Sequence, residues 1–116
     1  ASTRLLGRQT KIQRGQTTWY LDGAHTPESI ATVAEWFKTQ EGGKSLLLFY
    51  CSAERDSQAL LAPLQGLCDQ ILQVSHPHDP QAMQLTQGFS RVLVTGSFHL
   101  VGAVLENLQT NEIKDT

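Results

Sequence analysis

The segment Asp22-Gly23-Ala24-His25-Thr26-Pro27 puts a carboxylate, an imidazole and a hydroxyl within one turn. Such a set can hold an anion such as phosphate, because Gly23 lets the backbone bend and a helix opening at Pro27 offers N–H groups carrying partial positive charge. The competing reading is that Asp22 and Thr26 cap a turn and His25 is a satisfied surface residue. A second segment, Thr95-Gly96-Ser97-Phe98-His99, offers hydroxyls and His99 to the same kind of crevice, although Ser and Thr also serve as ordinary helix caps. A third, Ser52-Ala53-Glu54-Arg55-Asp56, carries charges that read first as a solvated loop or a local ion pair. Arg8 reads as a surface residue. No G-x-S-x-G elbow is present, and Ser97 with His99 two residues on makes a poor nucleophile and base pair. His76 and His78 flank Pro77 in a turn with no HExxH or cysteine pattern beside them, so no metal residues are assigned. Neither GxxxxGK[ST] nor GxGxxG occurs.

These segments matter because of the elements that end in them. Thr17 to Leu21 (TTWYL) reads as a strand stopping at Asp22-Gly23. Thr26 as cap, Pro27 in the first turn and Ile30, Val33, Ala34 and Phe37 at helical spacing predict a helix to about Gln40, ended by Gly42-Gly43. Ser45 to Cys51 (SLLLFYC) is a continuous apolar run of strand length, as expected in a parallel sheet covered on both faces. Asp56 to Leu67 carries Ala59, Leu60, Leu64 and Leu67 at helical spacing, with Pro63 marking a break or second start. Gln70 to Val74 and Arg91 to Thr95 read as further strands, the latter feeding a helix with Leu100, Val101, Val104, Leu105 and Leu108. Between Ser75 and Ser90 the turn-rich opening leaves only Gln81 to Gln87 for a short helix. Thr10 to Gln13 is a candidate edge strand, and the tail after Gln109 should fray. The alternation predicts an α/β fold: a Rossmann-like three-layer domain with an open, mostly parallel sheet and helices on both faces.

A length of 116 residues suits one domain spanning 1–116. Hydrophobic residues at 40% and charged residues at 17% support a packed core rather than disorder. The net charge of −2 and a pI near 6.1 provide no basic field, which disfavours nucleic acid and anionic membrane as partners. No apolar run reaches the roughly 20 residues of a spanning helix. Cys51 and Cys68 form no metal or CxxC spacing and read as buried free thiols. The first residue, Ala1, is not Met, which suggests processing, a cloning boundary or an excised piece.

Trp19-Tyr20-Leu21-Asp22-Gly23-Ala24-His25-Thr26 resembles the strand-to-helix signature of folylpolyglutamate synthases, and Val92 to Gly102 (VLVTGSFHLVG) resembles their second signature. Leu47-Leu48-Phe49 followed by Arg55-Asp56 is similar to the family's central strand and its loop, so the likeness covers most of Leu6 to Leu108. The resemblance implies a carboxy-terminal domain of the Mur ligase superfamily that closes over a central P-loop domain, which is absent from this chain. It implies an ATP-dependent ligase: ATP phosphorylates a substrate carboxylate, and the amine of L-glutamate attacks the acyl phosphate, so that folate gains a γ-linked glutamate. ATP and Mg²⁺ are then the cofactors of the full-length enzyme, with neither bound by this domain alone and no ligation expected from it in isolation. Arg8, within Leu6-Gly7-Arg8, matches an arginine reaching the ATP phosphates, although the family's usual proline is missing here. Asp22 matches a nucleotide-contacting aspartate and His25 a catalytic histidine near the phosphates, while Ser97 and His99 match positions lining the glutamate side of the cleft. Removal of His25 or Asp22 should on this view cost ligation far more than fold stability. The expected location is cytoplasmic, and also mitochondrial if the source is eukaryotic. Ser75 to Ser90 is short for the family. Thr26-Pro27 also resembles a string in cell-wall amino-acid ligases, and the matching domain of such a ligase, or a stand-alone glutamate- or nucleotide-binding module, are the alternatives.

Overall fold

In the computed structural model, residues 8–115 are described, with side chains described as far as Thr110. Leu6 and Gly7 of the Leu6-Gly7-Arg8 string lie outside them. The β-branched and aromatic run at Thr17–Asp22 forms strand β2, and Thr10–Arg14 folds back beside it as the antiparallel edge strand β1. Helix α1 follows at Pro27–Lys38, then β3 at Ser45–Phe49, in which all five residues are buried. A one-turn helix α2 at Ser57–Leu61 gives way to a 3-10 turn at Ala62–Leu64. Pro63, with no N–H to donate, falls where the regular helix stops. Leu60 and Leu64 are buried as the spacing predicts, whereas Ala59 is exposed. Strand β4 occupies Gln70–Gln73, a short α3 Pro80–Leu85, β5 Arg91–Thr95 and α4 Phe98–Asp115. The last helix is assigned through Asp115, and α1 ends at Lys38, two residues before the predicted stop, where the Thr39 N–H bonds back to Trp36 and Phe37.

The sheet order is β1-β2-β5-β3-β4, with β2, β5, β3 and β4 mutually parallel. Side-chain alternation along the three central strands splits the core into two layers. Trp19, Leu21, Leu46, Leu48, Val92 and Val94 pack with Leu100, Val101, Val104 and Leu108 of α4 and Ala82 of α3. Tyr20, Leu47, Phe49 and Leu93 face the other way, onto Ile30, Val33, Ala34 and Phe37 of α1 and onto Leu60 and Leu64. The connections through α1 and α2 move the chain in one direction along the sheet and share one face. The connection through α3 moves back and lies on the opposite face, as a single crossover handedness requires. This is the expected three-layer α/β arrangement. Among the described residues, no helix is long and apolar enough to cross a membrane.

Because β5 sends its helix to one face while its neighbours β2 and β3 send theirs to the other, the loops after the three strands splay apart at their carboxyl ends. A crevice opens there, the usual ligand position in such sheets.

Candidate functional site

The crevice is a cleft of about 330 Å³ lined by His25 from the loop after β2, Tyr50, Ser52, Glu54 and Arg55 from the loop after β3, and Gly96, Ser97, Phe98 and His99 at the start of α4. Three segments distant in sequence are brought together by the sheet order. Clefts of similar or larger size lie against α3 and α4, where His78, Asp79 and Glu106 contribute, and at the other end of the sheet, but none of these is formed by the loops after β2, β3 and β5.

Two glycines permit this convergence. Gly96 has φ +107°, and a Cβ there would stand 2.2 Å from the Tyr50 carbonyl oxygen, so the ends of β5 and β3 touch only because no side chain intervenes. The Tyr50 N–H donates to the Thr95 carbonyl across the same junction at 3.4 Å. At Gly23 a Cβ would meet the Phe98 ring at 2.2 Å, so the aromatic of α4 lies directly against the backbone of the β2 turn.

Asp22 is buried at 4% exposure, and both carboxylate oxygens accept backbone amides: Oδ2 from Gln9 at 3.0 Å and Oδ1 from Ala24 at 2.9 Å. Burial pushes its carboxyl above the usual range, opposed by those two amide bonds and by the Arg8 charge. Gln9 adopts φ +45°, sparsely populated for a residue with a side chain, and the Asp22 bond anchors it there. Asp22 therefore clamps the segment carrying Arg8 to the turn carrying His25.

His25 is half-buried, and its Nδ1 lies 3.1 Å from the Gly23 carbonyl oxygen. A carbonyl only accepts, so Nδ1 holds the proton in that bond. Nε2 is then the ring's remaining acceptor when neutral and its second donor when charged. The peptide around it is fixed by Ser29, whose Oγ accepts from the N–H groups of His25 at 3.2 Å and Thr26 at 3.0 Å, while Thr26 caps α1 through the Ser29 N–H. Sequence spacing suggested the α1 N-terminus as an anion seat; there the Thr26-Ser29 capping box takes up the Ser29 N–H and Glu28 adds negative charge to the first turn.

Ser97 is buried, and its Oγ accepts the His99 N–H at 3.0 Å, the bond of a helix cap. His99 is exposed on the first turn of α4 and faces the cleft, as does the exposed Arg55. Arg8 is exposed, with its guanidinium 5.2 Å from the centroid of the Phe98 ring. The same ring meets the His25 imidazole edge-on at 5.8 Å. All five residues singled out from sequence thus lie in or beside one region. Phe98, Arg55 and Tyr50 were not among them; Arg55 lay in a charged loop read first as solvated, and the signal for Phe98 was an aromatic placed directly after a helix cap, ahead of the apolar stripe that begins at Leu100. Behind the cleft the Thr95 hydroxyl is fully buried without a hydrogen-bond partner among the described residues. Among those residues, no group of three or more His, Cys, Asp or Glu side chains is placed to hold a metal ion.

The mitochondrial folylpolyglutamate synthase of Cricetulus griseus is 34% identical over 104 residues, covering 76% of this chain and 18% of the relative. A folylpolyglutamate synthase structure from Thermotoga maritima superposes with a TM-score of 0.81 at 21% identity, covering 91% of this chain and 31% of that one. A bifunctional folylpolyglutamate synthase/dihydrofolate synthase solved with Mn, AMPPNP and L-glutamate bound gives a TM-score of 0.75 at 21% identity, over 89% of this chain and 31% of that one. The chain therefore spans less than a fifth of the curated relative's length. Residues 7–111 match the family described as Mur ligase, glutamate ligase domain, and together with the α/β sheet and its crevice this makes the chain a member of that family.

Proposed function

We propose that this chain forms the carboxy-terminal half of the active site of a folylpolyglutamate synthase, an ATP-dependent ligase that joins L-glutamate to tetrahydrofolate or its polyglutamates. The observation that carries the reading is the convergence of His25, Arg8, Arg55 and His99 around one open cleft at the strand ends. Such a surface is rich in donors for anions, while the chain has no phosphate-loop motif of its own.

In this reading ATP, held by a central P-loop domain of the same protein, supplies the phosphoryl group that turns the folate carboxylate into an acyl phosphate. The amine of glutamate attacks that carbonyl and phosphate leaves. Arg8 lies against the phosphates and offsets the charge that develops on them. His25, oriented through Nδ1, presents Nε2 to the phosphates and the reacting groups, where it donates when charged and accepts a proton when neutral. Asp22 serves the nucleotide side by holding Arg8 and His25 in register. His99 faces the incoming glutamate, and Ser97 fixes the first turn of α4 on which His99 stands. Closure over the P-loop domain excludes water from the labile acyl phosphate and completes the site, so that neither half turns over alone. Among the described residues Mg²⁺ has no fitting donor set here, since Glu54 is the only carboxylate of theirs lining the cleft. The solved relative holding Mn, AMPPNP and L-glutamate supports the same substrates for this protein. A cytoplasmic setting is part of the same proposal, and the mitochondrial relative from Cricetulus griseus supports a mitochondrial one.

The test is an assay of the full-length protein containing this chain, following glutamate addition to tetrahydrofolate by mass spectrometry with and without ATP. ATP-dependent mass increments of one glutamate are expected, and none from the 116-residue chain alone. Ligation or ATP hydrolysis by the isolated chain, or no glutamate addition by the full protein, defeats the proposal.

A further inference from the structure

Phe98 is a large apolar side chain left 42% exposed at the mouth of the cleft, a placement that burial alone does not favour. It rests on the bare backbone of Gly23, its ring carries the Arg8 guanidinium at 5.2 Å, and its ring meets the His25 imidazole edge-on at 5.8 Å. The faces and edges of an aromatic ring differ in charge, so a guanidinium over the face and a ring approaching edge-on are both favourable. Among the described residues His25 has one ring bond, to the Gly23 carbonyl, which fixes where Nδ1 points but leaves the ring free to swing about that contact. Arg8 sits on an exposed segment with a flexible side chain, and Asp22 fixes the backbone there, not the guanidinium.

We infer that Phe98 is the positioning residue of the site: a platform on the first turn of α4 that holds the Arg8 guanidinium and the His25 imidazole in one arrangement before substrate arrives. This rests on the ligase reading for the purpose of that arrangement, but not for its existence. The platform joins three segments, at residues 8, 25 and 98, so the two functional groups are ordered relative to α4 as well as to the β2 turn. Gly23 belongs to the same device, because any side chain there must displace the ring.

The experiment has two arms. In the isolated chain, NMR follows the His25 ring protons, which feel the ring current of Phe98. Phe98→Leu should move those signals toward ordinary histidine positions while the α1 amide signals stay in place. Gly23→Ala should shift them in the same direction, and should add nothing in a Phe98→Leu background. In the full-length protein, Phe98→Leu should lower kcat/KM for ATP by roughly fivefold, the scale of a partly exposed cation–π contact and an ordered neighbour. Phe98→Tyr, which keeps the ring, should restore it to within about twofold. Unchanged His25 signals in Phe98→Leu overturn the proposal, and so does wild-type kcat/KM for that variant, or no rescue by Phe98→Tyr. A chain whose His25 signals respond as expected, in a full protein whose wild type does not ligate, would instead refute the ligase reading and leave the platform standing.

Discussion

Replacing Asp22 by Ala removes the acceptor for two backbone amides, and the two losses are unequal. Ala24 is buried at 2% exposure, so its N–H is left without water or partner, at a cost of about 1–3 kcal/mol. Gln9 is exposed, so its N–H regains water, and only the net worth of that hydrogen bond, about 1 kcal/mol, is lost with it. Release of the carboxylate from its buried setting returns part of this. A net loss of about 2 kcal/mol follows, which for a domain of this size lowers Tm by roughly 8 °C. Asp22→Asn keeps one acceptor and turns an N–H₂ toward the other amide, so about half of that loss is expected. The pH dependence has a definite sign. Burial raises the folded-state carboxyl above its ordinary value of 3.8, so the folded state binds the proton more readily than the unfolded chain. The penalty of holding Asp22 ionised is therefore fully present above the raised folded value and is relieved as pH falls through it toward 3.8 and below. The wild type should gain on Asp22→Asn over that window. Urea unfolding of the chain at pH 7 and at stepwise lower pH measures both quantities. If Asp22→Ala unfolds at the wild-type midpoint, or the gap to Asp22→Asn narrows on acidification, the clamp is not what the geometry describes.

Asp69 should behave in the opposite sense. The Ser45 N–H donating to its Oδ2 at 2.8 Å holds its carboxyl below the ordinary value, so its contribution is present above 3.8 and lost as pH falls through the lowered folded value. Asp69→Asn should flatten that acid loss in the same titration, and an unchanged slope would count against it. Thr95→Val removes a buried hydroxyl that has no partner and should stabilise the isolated chain by about 1 kcal/mol in urea unfolding; a clear loss would reveal a partner for that hydroxyl. Gly96→Ala meets both a φ of +107° and a carbonyl at 2.2 Å, and should cost more than about 2 kcal/mol by the same measurement. Cys51 and Cys68 are half-buried free thiols whose pKa burial pushes up, so both should react slowly with a thiol reagent at pH 7 until the chain is unfolded in urea.

The elements whose signals are local could be read from the sequence. Ser45–Phe49 is apolar throughout because both faces are covered, and Thr26-Pro27 starts α1 with a cap and a residue preset for the first turn. What depends on contacts far apart in sequence could not. The position of β5 between β2 and β3 decides that the Asp22, Tyr50 and Thr95 ends meet, and no local pattern encodes that order. Arg91 reads as the first residue of a strand, yet its side chain reaches back to the carbonyls of Gln40 and Gly43 and lies 4.8 Å from the Phe37 ring. Phe98 acquires its place from a glycine 75 positions earlier. For Asp22 the sequence offered a turn cap and, through the family resemblance, a nucleotide contact whose removal would spare the fold. Its burial and two amide bonds make it a residue of the fold as well, so its substitution is a poor probe of chemistry alone.

His25 and Arg8 are better probes, because neither is buried and the described bonds of their side chains are few. The direct measurement is steady-state glutamate addition to tetrahydrofolate by the full-length protein carrying His25→Ala or Arg8→Ala, alongside the unfolding midpoint of each. Loss of about 100-fold or more in kcat is expected for each, the scale for removing a group that stabilises developing charge or moves a proton, with midpoints close to wild type. Wild-type turnover in both variants would contradict the assignment of this cleft to the reaction.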